Sequence, residues 1–524
     1  MEQFHSKQIC HGALSHYRLV LDQLAGIQSP DCITTGNSGS ERSKRELFQS
    51  EKGLMKIVRW LLLLSVFVCF CAAEAGPSVQ EQKVWLAQAN RYEKNGWIYL
   101  HIEGEPRQRG YQHGYLLAKE IADNLRVHRA VWKHMTGMDW DWLVEKSKTM
   151  FTPKVDAENL AEIDGIVEGM TAAGINSSRD EIVAYNGWFD LAWYWWPNEK
   201  KKLDSQAPNP PLQSCSSFIA TGSMTADKGI VLAHNTMNAY PEATFNLILD
   251  IVPAHGHHIL WQSLPGWVHS GPDFFITDAG LVGSETTIGG FSSFDDKQIP
   301  EFVRMRRATQ DASSIDEWVE IMKRGNNGGY ANSWLIGDTK TNEIARLELG
   351  LKYIGFERTR DGYFTGSNIA EDIKLLRLET DGNSEDIRSS AVARRVRWKQ
   401  LMKQYAGKIN VQLAKSFLAD HYDTWLQKEN PGSRTICAHG ELNPQVQGFP
   451  AYIPYDPFGT YDGKVVDSAL AKRMSFVARW GAACGTRFNA AKFFEAHPQF
   501  DWMTGLLKDR PTQPWTEFQA GSKK

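Results

Sequence analysis

Charge of one sign, long apolar runs and cysteine are all scarce in this chain, and each scarcity closes off a class of function. Lys and Arg number 58 against 61 Asp and Glu, a formal net charge of -3. Surfaces for nucleic acid or anionic membrane concentrate Lys and Arg, so neither partner is expected. The apolar run Trp60 to Ala73 falls short of the roughly 20 residues that cross a bilayer as a helix, so no stable membrane anchor is expected. HExxH, the P-loop, a GxGxxG following a strand and the GxSxG elbow are all missing, which disfavours zincin, nucleotide-binding and conventional Ser-His-Asp lipase chemistry. No internal repeat is found. What is present is ordinary globular material, 42% hydrophobic and 23% charged, unusually rich in Trp at 19 residues.

Lys56 and Arg59 precede the apolar run, and Ala73-Glu74-Ala75 supplies a small-x-small cleavage pattern, so residues 60–73 read as the core of a secretory signal peptide. Residues 1–54 are polar and without periodicity, and a signal peptide ordinarily starts close to its charged end. Met55 is therefore the expected natural start, against Met1, and residues 1–75 are set aside as a leader. The destination is the secretory pathway, with a secreted or lysosomal protein as the outcome.

Of seven cysteines, Cys10, Cys32, Cys69 and Cys71 fall in that leader, leaving Cys215, Cys437 and Cys484. In an oxidising compartment an odd number leaves at least one thiol unpaired. The economical assignment pairs Cys437 with Cys484 and leaves Cys215 free. The alternative is three buried, inert thiols.

Residues 107–126, 156–173 and 178–193 carry helical spacing, so the front portion reads as mainly α. It ends in the aromatic cluster Trp188, Phe189, Trp193, Tyr194, Trp195 and Trp196, expected to be core and the wall of a pocket, with a membrane-contacting patch as the alternative. Residues 197–214, with three lysines, four prolines and no apolar periodicity, then read as an exposed loop. From Cys215 onward short apolar or alternating runs bounded by Gly and Asp read as antiparallel strands through about residue 357. Helices return at 314–323 and 392–405, and around 410–425 and 467–480. The pattern is α+β, with sheets packed face to face and helices outside. Residues 76–214 and 215–524 are expected to form one domain interrupted by a processing loop.

A cysteine at the start of a strand behind such a loop suggests a specific chemistry. If the Ser214–Cys215 bond is cut, the new α-amine, with a reference pKa near 8, can serve as base for its own thiol. The same thiol can make the cut through an N-to-S acyl shift that water resolves.

The segments KGIVLAHNTMNAY (228–240), SLPGWVHSGPDFFITDAGLVGSETTIGG (263–290), GGYANSWLIGD (328–338), YFTGSN (363–368), RRVRW (394–398) and VVDSALAKRM (465–474) resemble the phospholipase B-like proteins, which are N-terminal-nucleophile hydrolases. GYQHGYLLAKEI, TICAHGE and GAACGTRF look as much like the isopenicillin N acyltransferase family. Both groups imply a four-layer αββα sandwich of two antiparallel sheets flanked by helices.

Carried over by this resemblance, Cys215 in CSSF matches the self-cleaving nucleophile, and His234 in AHNTM the active-site histidine. Met237 stands where the family has Trp, which alters the expected acyl pocket. Thr287 matches an active-site threonine, while Thr286 alternates to the other face of its strand. Asn368 is the expected oxyanion donor, with Asn332 as rival. An arginine near the start of a helix is also implied, and of Arg388, Arg394 and Arg395 the assignment is Arg394.

The implied function is a cysteine hydrolase that removes fatty-acyl groups from phospholipids or related lipids through a thioester. An N-acyl amide hydrolase or acyltransferase is the alternative, and a non-catalytic lipid-binding protein the alternative of another class. The two cleavage fragments are expected to stay associated. No metal or organic cofactor is implied, and His255, His257 and His258 read as an exposed turn rather than a metal cluster. Asn176-Ser177-Ser178 offers a glycosylation sequon at Asn176.

Overall fold

The computed structural model describes residues 76–203, 215–242, 244, 246–444 and 454–523. The expected leader 1–75 and Ser214, expected before the cleaved bond, lie outside them. Pro77–Lys524 forms one compact unit. Among the described residues no helix is long and apolar enough to cross a membrane.

The front portion holds helices α1 (Val79–Gln88), α2 (Pro106–Leu116), α3 (Ala118–Thr136), α4 (Trp140–Met150), α5 (Ala157–Ala172), α6 (Arg179–Asn186) and α7 (Trp196–Leu203). Gly110 and Gly114 of α2 let it lie directly on α5, because a Cβ at either would sit 2.0 Å from the carbonyl oxygen of Glu162 or Ile166. Arg109, buried beside that seam, donates to Glu162 at 2.6 Å. The loop expected from residue 197 does not begin there. Residues 197–203 continue as α7, whose last turn carries Lys200, Lys201 and Lys202, cations that suit a helix C-terminus.

Between α1 and α2 lies a hairpin that the α reading passed over, β1 (Asn90–Lys94) and β2 (Trp97–Gly104). It joins strands after Cys215: β3 (Ser216–Thr221), β4 (Val231–Ala239), β5 (Leu247–Pro253), β6 (Ile259–Ser263), β7 (Phe274–Thr277), β8 (Leu281–Thr287), β9 (Asn332–Asp338), β10 (Glu343–Leu349), β11 (Ile354–Thr359) and β12 (Gly362–Gly366). A minor ribbon, β13 (Tyr422–Asp423) with β14 (Lys428–Glu429), precedes β15 (Phe458–Asp467), β16 (Ser475–Trp480) and β17 (Thr516–Gln519). Residues 475–480 had been expected in a helix, but only Ser468–Lys472 is helical before the chain turns into β16.

Among the described residues the large sheet runs β1-β2-β5-β6-β7-β8-β9-β10-β11 and the small one β12-β3-β4-β15-β16-β17. Both are antiparallel except at β2 and β5, which pair in parallel from Ile98 opposite Leu247 to Gly104 opposite Pro253. Parallel neighbours need a long crossover, and the chain between them supplies one through the front helices and β3–β4. Strands buried on both faces explain the near-continuous apolar runs. In β5, Ile248 enters the core between the sheets, while Leu249 and Ile251 face the helices. Helices α8 (Glu301–Asp311) and α9 (Ile315–Lys323) cover the large sheet beside the front helices. On the small sheet, α11 (Ser390–Gln404) and α12 (Val411–Leu418) form the outer layer, preceded by the short α10 (Ile373–Leu378). The order is the expected αββα.

Candidate active site

Cys215 sits at the head of β3, 2% exposed, with a left-handed φ of 77°. Its surroundings pin it at several points. The guanidinium of Arg394, buried on α11, donates from Nη1 to the Cys215 carbonyl at 2.7 Å and from Nη2 to Asn368 Oδ1 at 2.7 Å. Asn368 Nδ2 in turn donates to the carbonyl of Thr287 at 2.7 Å. A continuous hydrogen-bonded path thus joins the helix layer, the end of β12, the end of β8 and the start of β3. Burial lowers the Arg394 pKa to about 9, with Cys215 opposing, so it stays a cation at neutral pH. Trp398, one turn along α11, donates from Nε1 to Ser216 Oγ at 2.9 Å.

The thiol faces a group of buried acids that the sequence reading did not single out. Cys215, His234 and Glu285 bring one reactive atom each within 4.8 Å of one another. Glu285 on β8 accepts the Tyr330 hydroxyl at 2.9 Å, and the same hydroxyl lies 2.7 Å from Asp273 Oδ2. Burial is the main reason Glu285 is pushed up to about 7, against the pull of Asp273, Tyr330, Lys464 and Cys215. Asp273 is raised well above its usual range by burial and by the charge of Glu285. Two carboxyls sharing one buried pocket retain a proton between them. The Cys215 thiol is likewise pushed well up, first by burial and then by Glu285, while the Met237 backbone and Lys464 pull it back. Lys464, buried on β15, is held by Asp462 at 2.9 Å and by Thr236 and Gln262.

His234 lies on β4 opposite Ser217, one hairpin from the thiol. Its Nε2 bonds the Glu285 carbonyl at 3.0 Å, and its Nδ1 is buried without a hydrogen-bond partner. Burial, aided by Lys464, lowers its pKa well below the usual value, so the ring is neutral and Nδ1 carries the lone pair. Asp273, Tyr330 and Asn368 share the left-handed backbone of Cys215, with φ of 54°, 47° and 70°. Such conformations cost about 1–3 kcal/mol each and gather where function requires them.

The remaining candidates separate by environment. Arg388 is exposed and paired with Asp386, and Arg395 pairs with Glu371, so only Arg394 reaches Cys215. Thr286 packs against Gly366 of the small sheet, whereas Thr287 lies opposite Asn332 and offers its carbonyl to Asn368. Asn332 is buried with neither amide atom hydrogen-bonded. His257 is held by Asp278 and Ser313, and His258 by Asp250, so those imidazoles are engaged with the protein. Asn176 is exposed just before α6, and Ser178 of its sequon caps that helix. Trp188 packs among Trp132 and Trp140 in the core, and Phe189 lies against Tyr330, 4.6 Å between ring centres. The expected Cys437–Cys484 disulfide is not formed: all three cysteines described are free thiols. Both sulfurs lie against His439 instead, at 3.6 and 3.4 Å.

Residues 84–354, just over half of the chain, match the model of the family described as Phospholipase B. The chain is similar to "Phospholipase B" of Crotalus adamanteus, 27% identical over 272 residues covering 46% of this chain and 45% of that one. It is also similar to "Phospholipase B-like 1" of Homo sapiens, 26% identical over 304 residues covering 50% and 51%. It spans about half the length of the curated relatives it matches. Among solved structures, a mutant conjugated bile acid hydrolase from Clostridium perfringens aligns at a TM-score of 0.30 and 8% identity, covering 51% of this chain and 89% of that one. With the sequence match extending from α1 through the strands that carry Glu285 and Asn332, the chain belongs to the phospholipase B family.

Proposed function

We propose that this protein is a secretory-pathway acyl hydrolase that cleaves its own chain before Cys215 and then uses that residue to remove fatty-acyl groups from glycerophospholipids. The observation that carries the reading is the placement of Cys215: buried, left-handed, its carbonyl clamped by Arg394, its thiol beside Glu285 and His234. In the uncut chain Glu285, with a pKa of about 7, is the base that takes the thiol proton. The sulfur attacks the Ser214 carbonyl carbon, the C–N bond breaks and the nitrogen takes a proton to become an amine. Water then adds to the thioester, the C–S bond breaks, and Ser214 leaves as a carboxylate while the sulfur regains its proton.

The freed α-amine changes the electrostatics of the pocket. It adds a cation beside the carboxyls that hold the thiol up, and as a neutral base it takes the thiol proton when an acyl ester arrives. Attack on the ester gives a thioester and releases the alcohol, and water completes the cycle to a fatty acid. Asn368, oriented by Arg394 and by Thr287, is the donor assigned to the oxyanion, and the buried, unpartnered amide of Asn332 supports a second donor. Cleavage between 203 and 215 would leave β1 and β2 in one fragment and β5–β11 of the same sheet in the other, which supports fragments that remain associated.

The test is denaturing electrophoresis with N-terminal sequencing of wild type and Cys215→Ala, followed by fatty-acid release from phospholipids and from N-acyl amides. Two fragments in wild type, the second starting at Cys215, with an uncut variant and release from phospholipids, is the expected result. An uncut, folded wild type overturns self-cleavage. Release from N-acyl amides alone transfers the substrate assignment to amides, and a processed protein whose Cys215 resists mild alkylation supports a lipid-binding role instead.

A further inference from the structure

A second constellation of reactive side chains lies apart from Cys215 and shares no residue with it. His421 follows α12, Cys437 and His439 lie in the loop before β15, and Cys484 follows β16. One ligand-type atom from each of the four lies within 4.8 Å of the others. We propose that these four residues form a closed, tetrahedral site for a divalent transition-metal ion of the zinc type.

The geometry favours an ion over the alternatives. His439 Nε2 lies 3.6 Å from Cys437 Sγ and 3.4 Å from Cys484 Sγ. A tetrahedral ion with Zn–S of about 2.3 Å and Zn–N of about 2.0–2.1 Å sets an S···N edge of about 3.5 Å. The rings of His421 and His439 meet edge to face with centres 5.1 Å apart, and His421 Nε2 is buried without a hydrogen-bond partner. A disulfide would consume both sulfurs and leave that nitrogen unexplained, whereas a metal uses it.

The surroundings support the ligands as such sites require. His439 Nδ1 bonds Glu441 Oε1 at 2.9 Å, which fixes the ring with Nε2 toward the sulfurs, and the other oxygen of Glu441 accepts the Tyr240 hydroxyl at 2.7 Å. The Thr486 N–H points at Cys484 Sγ from 3.3 Å. Cys437 N donates to the Asp420 carbonyl at 3.1 Å, and Asn235, beside His234 on β4, donates to the carbonyls of Leu418 and Ile436. These bonds hold the His421 and Cys437 segments together before any ion binds. Two thiolates and two imidazoles select a borderline-soft cation over calcium or magnesium, and four protein ligands leave no position for substrate. The ion would therefore staple three segments of the small-sheet side rather than take part in the reaction.

Elemental analysis of the purified full chain by mass spectrometry is the first measurement, with about one zinc per chain expected. Cys215→Ala should keep it, while Cys484→Ser and His421→Asn should each weaken retention roughly tenfold or more. Replacement by Co2+ in the wild-type protein should produce thiolate-to-cobalt charge-transfer absorption, a readout that needs no variant to fold. Substoichiometric zinc together with no charge-transfer band on Co2+ addition overturns the site. So does peptide mapping without reductant that recovers Cys437 disulfide-bonded to Cys484.

Discussion

Among the described residues two clusters set cysteine thiols beside other reactive side chains, and the neighbours differ between them. At Cys215 a single thiol stands against Glu285 and the neutral ring of His234, in a buried pocket that also holds Asp273, and burial with like charge keeps it protonated. At Cys437 and Cys484 two thiols face imidazole nitrogens, one of them oriented by Glu441. In the proposed reaction the first arrangement hands the thiol proton to Glu285 before cleavage and to the new amine after it. The second gathers donors around a point. Buried carboxyls beside one thiol oppose its ionisation, whereas two imidazoles beside two thiols offer a four-donor set that suits the proposed ion.

The comparison can be broken most completely at the nucleophile. Cys215→Ala should abolish both chain cleavage and acyl release while leaving the metal content of the other pocket intact, as electrophoresis and elemental analysis would record. Glu285→Gln should slow self-cleavage by about 10²–10⁴-fold. In wild type that rate should climb as pH rises through about 7, as the carboxyl ionises, and the variant should lose this inflection. The linked stability runs the other way. Because the folded state raises this carboxyl above its ordinary 4.5, its contribution is full below pH 4.5 and is lost as pH rises through about 7.

Asn368→Ala, assayed on chains already cleaved, should lower kcat by about 10²–10³-fold if it serves the oxyanion. If Asn332→Ala gives the larger loss, the donor roles exchange. On the other side of the comparison, stripping metal with a chelator should lower Tm by a few degrees, since an ion at a hundredfold its Kd contributes about 2.7 kcal/mol. The smallest effect is expected at Ser216→Ala, which removes the acceptor of the Trp398 indole and should cost about 1 kcal/mol in denaturant unfolding.

Much of the candidate pocket was legible residue by residue. Cys215 stood out by its place behind a polar loop, and family motifs supplied His234, Thr287, Asn368 and Arg394, of which the structure brings Arg394, Asn368 and Thr287 onto one hydrogen-bonded path. Asp273 and Glu285 lay inside the quoted motifs and passed unremarked, because a strand pattern gives a polar residue no address. The overlooked signal was a carboxyl within the wholly buried strand LVGSETT, where charged side chains seldom go unless they have work or a partner. Asp462 and Lys464, two apart on one face of β15, gave a similar signal. The second pocket was illegible for another reason: its ligands at 421, 437, 439 and 484 have no compact spacing, and counting thiols led instead to a disulfide.

By itself the sequence determined the α+β class, most strand positions after residue 215, the family motifs and Cys215 as the candidate nucleophile. These are written locally, in short apolar runs, in the turn residues that bound them and in motifs around reactive groups. Only the tertiary structure decided that β2 enters the large sheet in parallel beside β5, that Arg394 rather than Arg388 or Arg395 reaches Cys215, and that two cysteines meet two histidines. Those outcomes depend on contacts between segments tens to hundreds of residues apart. There, burial and the neighbour that happens to share it set what a thiol or a carboxyl can do.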